Sequence, residues 1–108
     1  MSSEHTIYVA RCIVTLVMHE NRSLKDKRSV LNRVKTRARN EFNVSVAEVG
    51  DPDRRQVAQV GLASIGNDRV YLEGQMRRVV DFIAGITHAE ISGVQLNVEI
   101  AGGDDVFL

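Results

Sequence analysis

The sequence predicts an α+β, ferredoxin-like sandwich, in which a four-stranded antiparallel sheet carries two helices on one face. The hydropathy pattern changes between a period of two and a helical period in the order strand, helix, strand, strand, helix, strand. The chain has 108 residues, of which 44% are hydrophobic and 26% charged, which is enough for one hydrophobic core. Two βαβ units in succession, which give the order βαββαβ, most simply form a ferredoxin-like sandwich.

The first half of the chain supplies a strand, a helix and a short strand. Thr6 to Met18 is apolar at every even position from Tyr8 onward, so we expect a strand in the centre of the sheet. Ser23 offers an N-cap oxygen to the helix that follows, and Asp26 stands at the position of a capping-box acid. Val44 to Val49 predicts the short strand. The apolar positions of the helix are Leu24, Leu31, Val34, Ala38 and Phe42.

The second half repeats this order after a turn at residues 50–53. Val57 to Ile65 alternates as a strand, with Ala58, Val60 and Leu62 directed inward. Residues 66–68 break the strand and cap a second helix, which Gly85 and Thr87 help to end. The apolar positions of that helix are Leu72, Met76, Val79, Ile83 and Ile86. A strand from about residue 91 to 100 should bury Val94, Leu96, Val98 and Ile100.

These elements place a single domain at residues 6–100, between a disordered N-terminus (1–5) and a C-terminal tail (101–108). Cys12 is the single cysteine, which excludes an intramolecular disulfide and is compatible with a reducing compartment. The longest apolar run is too short to cross a bilayer, and the N-terminus has no signal-peptide pattern. We expect a cytoplasmic protein.

Positive charge is concentrated in the first helix. The chain has 14 basic and 14 acidic residues, but residues 22–42 contain eight cations and two acids, a local charge of +6 that the remainder balances with −6. Such asymmetry favours an anionic partner. The eight cations are Arg22, Lys25, Lys27, Arg28, Arg33, Lys35, Arg37 and Arg39.

Four of these cations, Lys25, Arg28, Lys35 and Arg39, recur at helical spacing and form a stripe beside the buried face. At about 1.5 Å per residue the stripe is roughly 20 Å long, so it could meet several successive phosphates. A solvated helix face that aids solubility also fits this charge pattern, and so does a face that binds an acidic protein or the protein's own acidic patches. Further candidates for nucleic-acid contacts outside the stripe are Arg33, Arg37, Lys27, Arg54 and Arg55.

Lys27 falls inside the apolar stripe of the helix, where we expect its ammonium to snorkel out from the first turn. The alternative is a cation held at the strand–helix junction for an anionic ligand. Helix N-termini favour anions through free N–H groups and the helix dipole. Arg22, Ser23, Lys25 and Lys27 are therefore a candidate small-anion pocket.

The uncovered face of the sheet should carry mixed polar and apolar side chains, so it is either bare or packed against a second copy. The third strand has no aromatic residue, and Tyr8 is predicted on the buried face, which disfavours stacking of bases on the sheet. The residues expected on this open face are Ile7, Val9, Arg11, Ile13, Thr15, Gln59, Gly61, Ala63, Gln95, Asn97 and Glu99.

No constellation of residues supports catalysis. His5, His19 and His88 show no ligand spacing with each other or with Cys12, so no metal site and no cofactor is expected. Cys12 in a strand centre is typical of an inert core residue. The acids Glu48, Asp51 and Asp53 lie around a turn, where acids are common. We expect a protein that is not an enzyme.

Two segments, Ser23 to Arg28 and Phe42 to Glu48, followed by Asp51 and Gln56, resemble the YlxP-like family of small bacterial proteins of unknown function. The resemblance covers about residues 7–100 and implies a ferredoxin-like fold and a cytoplasmic location. Members are commonly encoded beside translation-initiation and ribosome-maturation genes, close to ribosome-binding factor A, and the resemblance therefore implies a role in RNA or ribosome biology. The motif residues are Ser23, Leu24, Lys25, Asp26, Lys27, Arg28, Phe42, Asn43, Val44, Ser45, Ala47, Glu48, Asp51 and Gln56.

This chain departs from the family pattern at Arg55, where many relatives carry tryptophan; a guanidinium can stack or bind phosphate there instead. We therefore expect a non-enzymatic protein that binds RNA or a ribosomal particle through its basic first helix. The alternative is a homodimer that joins through the open sheet face and docks an acidic protein. A sensor of small anions is a third hypothesis.

Overall fold

The computed structural model describes residues 6–102 and contains the six elements in the predicted order. They are β1 (Thr6–Val17), α1 (Leu24–Glu41), β2 (Ser45–Glu48), β3 (Val57–Gly66), α2 (Arg69–Ile86) and β4 (Glu90–Gly102). The strands form one antiparallel sheet in the order β2-β3-β1-β4, and both helices cover one face. The ferredoxin-like fold class is confirmed. Residues 101–102 of the predicted tail belong to β4; the predictions for residues 1–5 and for the rest of the tail lie outside the described residues.

The central strand β1 organises the core, as its apolar pattern predicts. It pairs with β3 on one side and β4 on the other, so Cys12 lies opposite both Leu62 and Leu96. The even-numbered side chains from Ala10 to Met18 are buried beneath the helices. The odd-numbered side chains lie on the open face, because successive side chains of a strand alternate between faces.

Both helices begin at their predicted caps. The Ser23 hydroxyl accepts a hydrogen bond from the Asp26 backbone N–H at 3.1 Å, and an Asp68 carboxylate oxygen accepts one from the Tyr71 N–H at 3.0 Å. The Thr87 hydroxyl donates to the Ile83 carbonyl at the end of α2. Gly85, by contrast, lies inside α2 and does not end it. Neither helix in residues 6–102 is long and apolar enough to span a membrane.

The edge strand β4 differs from its prediction. Val94 and Ile100 share the helix side of the sheet with Val98, but both are exposed, because the helices cover only the middle of this strand. A bulge shifts the register between Thr15 and Leu16 and brings Ile91 opposite Leu16. Ile91 thereby packs against the core.

Candidate nucleic-acid interface

The basic stripe of Lys25, Arg28, Lys35 and Arg39 forms one flank of α1, as predicted. Its side chains are exposed, except for the half-buried Lys35. Fourteen residues separate Lys25 from Arg39, which gives about 21 Å of helix. Within residues 6–102, none of these four side chains forms a salt bridge, so the charge of the stripe is not neutralised by the fold.

The opposite flank of α1 carries Arg33 and Arg37 and faces α2. Both arginines are exposed, and the Arg37 guanidinium lies over the Phe82 ring of α2 at 5.7 Å from its centroid. At about 100° per residue, the outward surface between the two flanks consists of small polar residues. They are the exposed Ser29, Asn32, Thr36 and Asn40. The outer side of α1 therefore carries these polar side chains between two rows of cations, with Lys25 at the N-terminal end of the same surface.

Lys27 does not snorkel to the surface, so that prediction was wrong. Its side chain is only 2% exposed, and Nζ lies 2.7 Å from Oε2 of Glu48. The contact has the distance of an ion pair, although Oε2 lacks a hydrogen bond of good angle. Nζ also donates to the backbone carbonyls of Asp51 at 3.0 Å and Pro52 at 3.4 Å. This ammonium holds α1 to β2 and the following turn, and it is not available to phosphate.

The loops β1–α1 and β2–β3 are joined by hydrogen bonds, and we call this contact the loop junction (residues 18–23 with 51–56). The Gln56 side-chain amide donates to the carbonyls of His19 and Asn21, both at 3.2 Å. The Met18 N–H donates to the Gln56 carbonyl at 2.7 Å. The Arg55 guanidinium donates to the Arg22 carbonyl at 3.2 Å. The junction fixes the start of α1 against the sheet.

The proposed small-anion pocket is not assembled. The Ser23 hydroxyl caps α1, and the Asp26 carboxylate accepts from the Arg22 N–H at 2.9 Å, so an acid already lies at this helix end. Lys27 is buried away from it. Lys25 and Arg22 are exposed. The geometry therefore does not support the anion-sensor hypothesis.

A known protein family matches most of the chain. The model of a family described as "Protein of unknown function (DUF503)" matches residues 9–96. The chain belongs to the DUF503 family. The uncharacterized protein YlxP of Bacillus subtilis (strain 168) is 39% identical over 74 residues, which cover 68% of this chain and 80% of that protein. The resemblance to YlxP-like proteins is confirmed.

Among solved structures, the de novo designed protein Foldit4 has a similar fold. Its TM-score is 0.51 at 16% sequence identity, over 86% of this chain and 96% of the designed one. At that identity the likeness concerns the fold alone.

Several of the residues that carry the resemblance to YlxP-like proteins form contacts inside the fold. Ser23 and Asp26 cap α1, Lys27 and Glu48 form the buried pair, and Gln56 closes the loop junction. The exposed cations Lys25 and Arg28 have no such contact. The Arg55 guanidinium donates a hydrogen bond within the loop junction, and the neighbouring Arg54 is exposed.

The open sheet face of this DUF503 protein is mixed, as predicted. Arg11 and Glu99 form an exposed ion pair at 2.7 Å. Beside them lies a shallow, largely apolar depression of about 330 Å³. Apolar residues around it include Ile13, Ala47, Val49, Gly61 and Ala63. Nearby on β3, Ile65 is 62% exposed, so part of this face is apolar and uncovered by residues 6–102.

A cleft that the sequence did not predict lies between the β1–α1 loop and the end of α2. Its volume is about 700 Å³, and Arg33, His19 and His88 contribute to its walls. His19 Nε2 lies 2.9 Å from a carboxylate oxygen of Glu90. Segments distant in the chain form this cleft, so no local pattern could have signalled it. In residues 6–102, no group of three His, Cys, Asp or Glu side chains is placed to hold a metal ion.

Proposed function

We propose that this DUF503 protein is a cytoplasmic RNA-binding protein that acts by binding and not by catalysis, and that the basic stripe of α1 contacts the RNA backbone. The observation that carries the proposal is the stripe itself. Four cations lie along one helix flank, and no acid in the described residues pairs with them. A solubilising face would need neither this alignment nor a net charge of +6 in a neutral chain.

The positions of the other cations define the extent of the surface. Arg33 and Arg37 widen it toward α2, and Arg22, Arg54 and Arg55 continue the positive charge beyond the start of α1. Lys27 is excluded because it is buried. Small hydroxyl and amide side chains in the centre of α1 can donate to phosphate and sugar oxygens. This surface would read phosphates and shape rather than base sequence.

The resemblance to YlxP-like proteins favours a ribosomal particle as the source of the RNA. Purified protein, freed of nucleic acid, should be retained by ribosomal subunits and by total RNA, and a moderate rise in salt should weaken this retention. For single strands, the slope of log K against log salt is about −0.7 for each phosphate contact. Loss of three contacts should therefore reduce the slope by about 2.

The decisive variant replaces Arg28, Lys35 and Arg39 with Gln, which changes the net charge by −3. The matched control changes Ser45, Gln59 and Gln95 to Glu, again by −3, at exposed positions on or near the open sheet face. The helix variant should lose most of its RNA affinity and melt normally, whereas the control should retain its affinity. Equal affinities of the two variants would show that net charge alone matters. Absence of RNA binding by the parent protein would refute the proposal.

A second candidate function is a homodimeric interaction module, because the open sheet face has an apolar depression next to the exposed Ile65. A contiguous exposed apolar patch often marks an interface. Substitution of Ile13 by Asp, in the wall of the depression, should give a monomer by size-exclusion chromatography if the parent is a dimer. Asn32→Asp, which makes the same charge change at an exposed position of α1 on the other side of the sheet, is the matched control. An unchanged elution volume of the Ile13 variant would exclude this face.

A further inference from the structure

The outer surface of α2 carries an aromatic–arginine row that core packing does not require. Arg78 lies over the Tyr71 ring at 5.9 Å, as Arg37 of α1 does over Phe82 at 5.7 Å. Phe82 also meets Phe42 edge to face at 5.5 Å, so its ring has a structural role. Tyr71 is 58% exposed and is not packed against the core. Contacts within residues 6–102 leave more than half of this side chain accessible to a ligand.

The row is continuous by helical geometry. Tyr71, Arg78 and Phe82 are seven and four residues apart, which places them on one side of α2. Since Phe82 is the member that meets Arg37, this side faces α1. Gly74 lies beneath Arg78: a Cβ on Gly74 would be 3.4 Å from Nη1 of Arg78. Absence of a side chain at this position leaves room for the guanidinium to fold back along the helix toward Tyr71.

We propose that Tyr71 and Arg78 form a stacking site for an unpaired base of single-stranded RNA. The proposal rests on RNA binding by α1 and deepens it, because it names the class of RNA. Aromatic rings and guanidinium planes stack on any exposed base, whereas the bases of a duplex are not accessible to them. Arg78 lies beside Tyr71, and Arg37 of α1 lies against Phe82 at the other end of the row, so the phosphates of a strand stacked on Tyr71 would meet positive charge along the row.

Tyr71→Ala is the decisive variant, and Tyr71→Phe is its control because it keeps the ring. Val70→Ala is a second control, since Val70 is the more exposed neighbour outside the row. Binding is measured at one salt concentration with a short mixed-sequence single-stranded RNA and with a duplex of the same length. One stacked base is worth about 5- to 160-fold in affinity. Tyr71→Ala should therefore lose at least about fivefold for the single strand and little for the duplex. The Phe and Val70 variants should bind like the parent.

Tyrosine fluorescence gives an independent readout, because the chain has two tyrosines and no tryptophan. In a Tyr8→Phe background Tyr71 is the sole emitter, and stacking should quench it when single-stranded RNA is added. If Tyr71→Ala binds RNA as the parent does and RNA does not quench Tyr71, the stacking site is refuted. Loss of RNA binding in the α1 variant would still support the basic stripe in that case. Loss of ribosomal retention in Tyr71→Ala without quenching by RNA would assign the row to a protein partner instead. No RNA binding by the parent would remove both proposals.

Discussion

Substitution of Lys27 by Met should destabilise the fold strongly, because it removes the buried cation at the centre of the contact between α1 and β2. The ammonium is within 3.4 Å of three oxygens, and the Glu48 side chain is 21% exposed. Removing one partner of a buried pair typically costs about 3–5 kcal/mol. The partial exposure of Glu48 lets water reach its carboxylate, so we expect the lower end, about 3 kcal/mol in the free energy of unfolding.

Urea denaturation measures this loss directly. For a domain of this size, with a slope near 2 kcal/mol per molar urea, the midpoint should fall by about 1.5 M. Lys25→Met is the control, since it makes the same chemical change on the exposed flank, and it should stay within about 0.5 kcal/mol of the parent.

The double variant Lys27→Met with Glu48→Gln tests the mechanism. It should recover most of the loss, because an uncompensated buried charge is the costly species and the pair itself is close to neutral. A cost below about 1 kcal/mol for Lys27→Met, or single effects that simply add in the double variant, would refute the assignment of a coupled buried pair. At a temperature where it is folded, Lys27→Met should also bind RNA like the parent, since the residue is not on the surface.

Two further predictions concern stability. Burial raises the pKa of the Cys12 thiol above its ordinary value of 9.0. The unfolded chain therefore releases the thiol proton at a lower pH than the folded chain does. As a result, the free energy of unfolding falls as the pH rises above 9.0. The stability advantage over Cys12→Ala, measured by urea unfolding at about pH 8 and about pH 10, should shrink at the higher pH; a constant difference would contradict this. Gly85 lies in α2 with open space where a Cβ would be, so Gly85→Ala should raise the unfolding free energy by about 0.5–1 kcal/mol in thermal or urea melts, and a loss would show that this glycine has a conformational role.

Local patterns in the sequence predicted most of the fold. Period-two alternation located β1 and β3, and the hydroxyl and carboxylate caps at Ser23 and Asp68 located the helix starts. The pairing register of β4 with β1, and the part of β4 that the helices cover, were less predictable. The bulge opposite Thr15 and the exposure of Val94 depend on how far the helices extend over an edge strand, which no local window contains.

The candidate site was predicted unevenly for a similar reason. Helical spacing alone located the stripe, because its residues lie on one continuous element. The environment of Lys27 was missed because its partners come from the turn after β2, more than 20 residues away. The row at Tyr71 was not predicted, because base stacking is familiar on sheets and a tyrosine in a helical segment gives no such pattern.

The buried pair and the loop junction have a consequence for comparing this chain with its relatives. Two proteins that share Lys27, Glu48 and Gln56 share the means of fixing one helix against the sheet, whatever that helix then contacts. Functional divergence could proceed at Lys25, Arg28, Lys35, Arg39 and Tyr71 without any change in those internal contacts. A relative that keeps Lys27, Glu48 and Gln56 but carries acids or alanines at the exposed positions would have the same helix placement and a different binding partner.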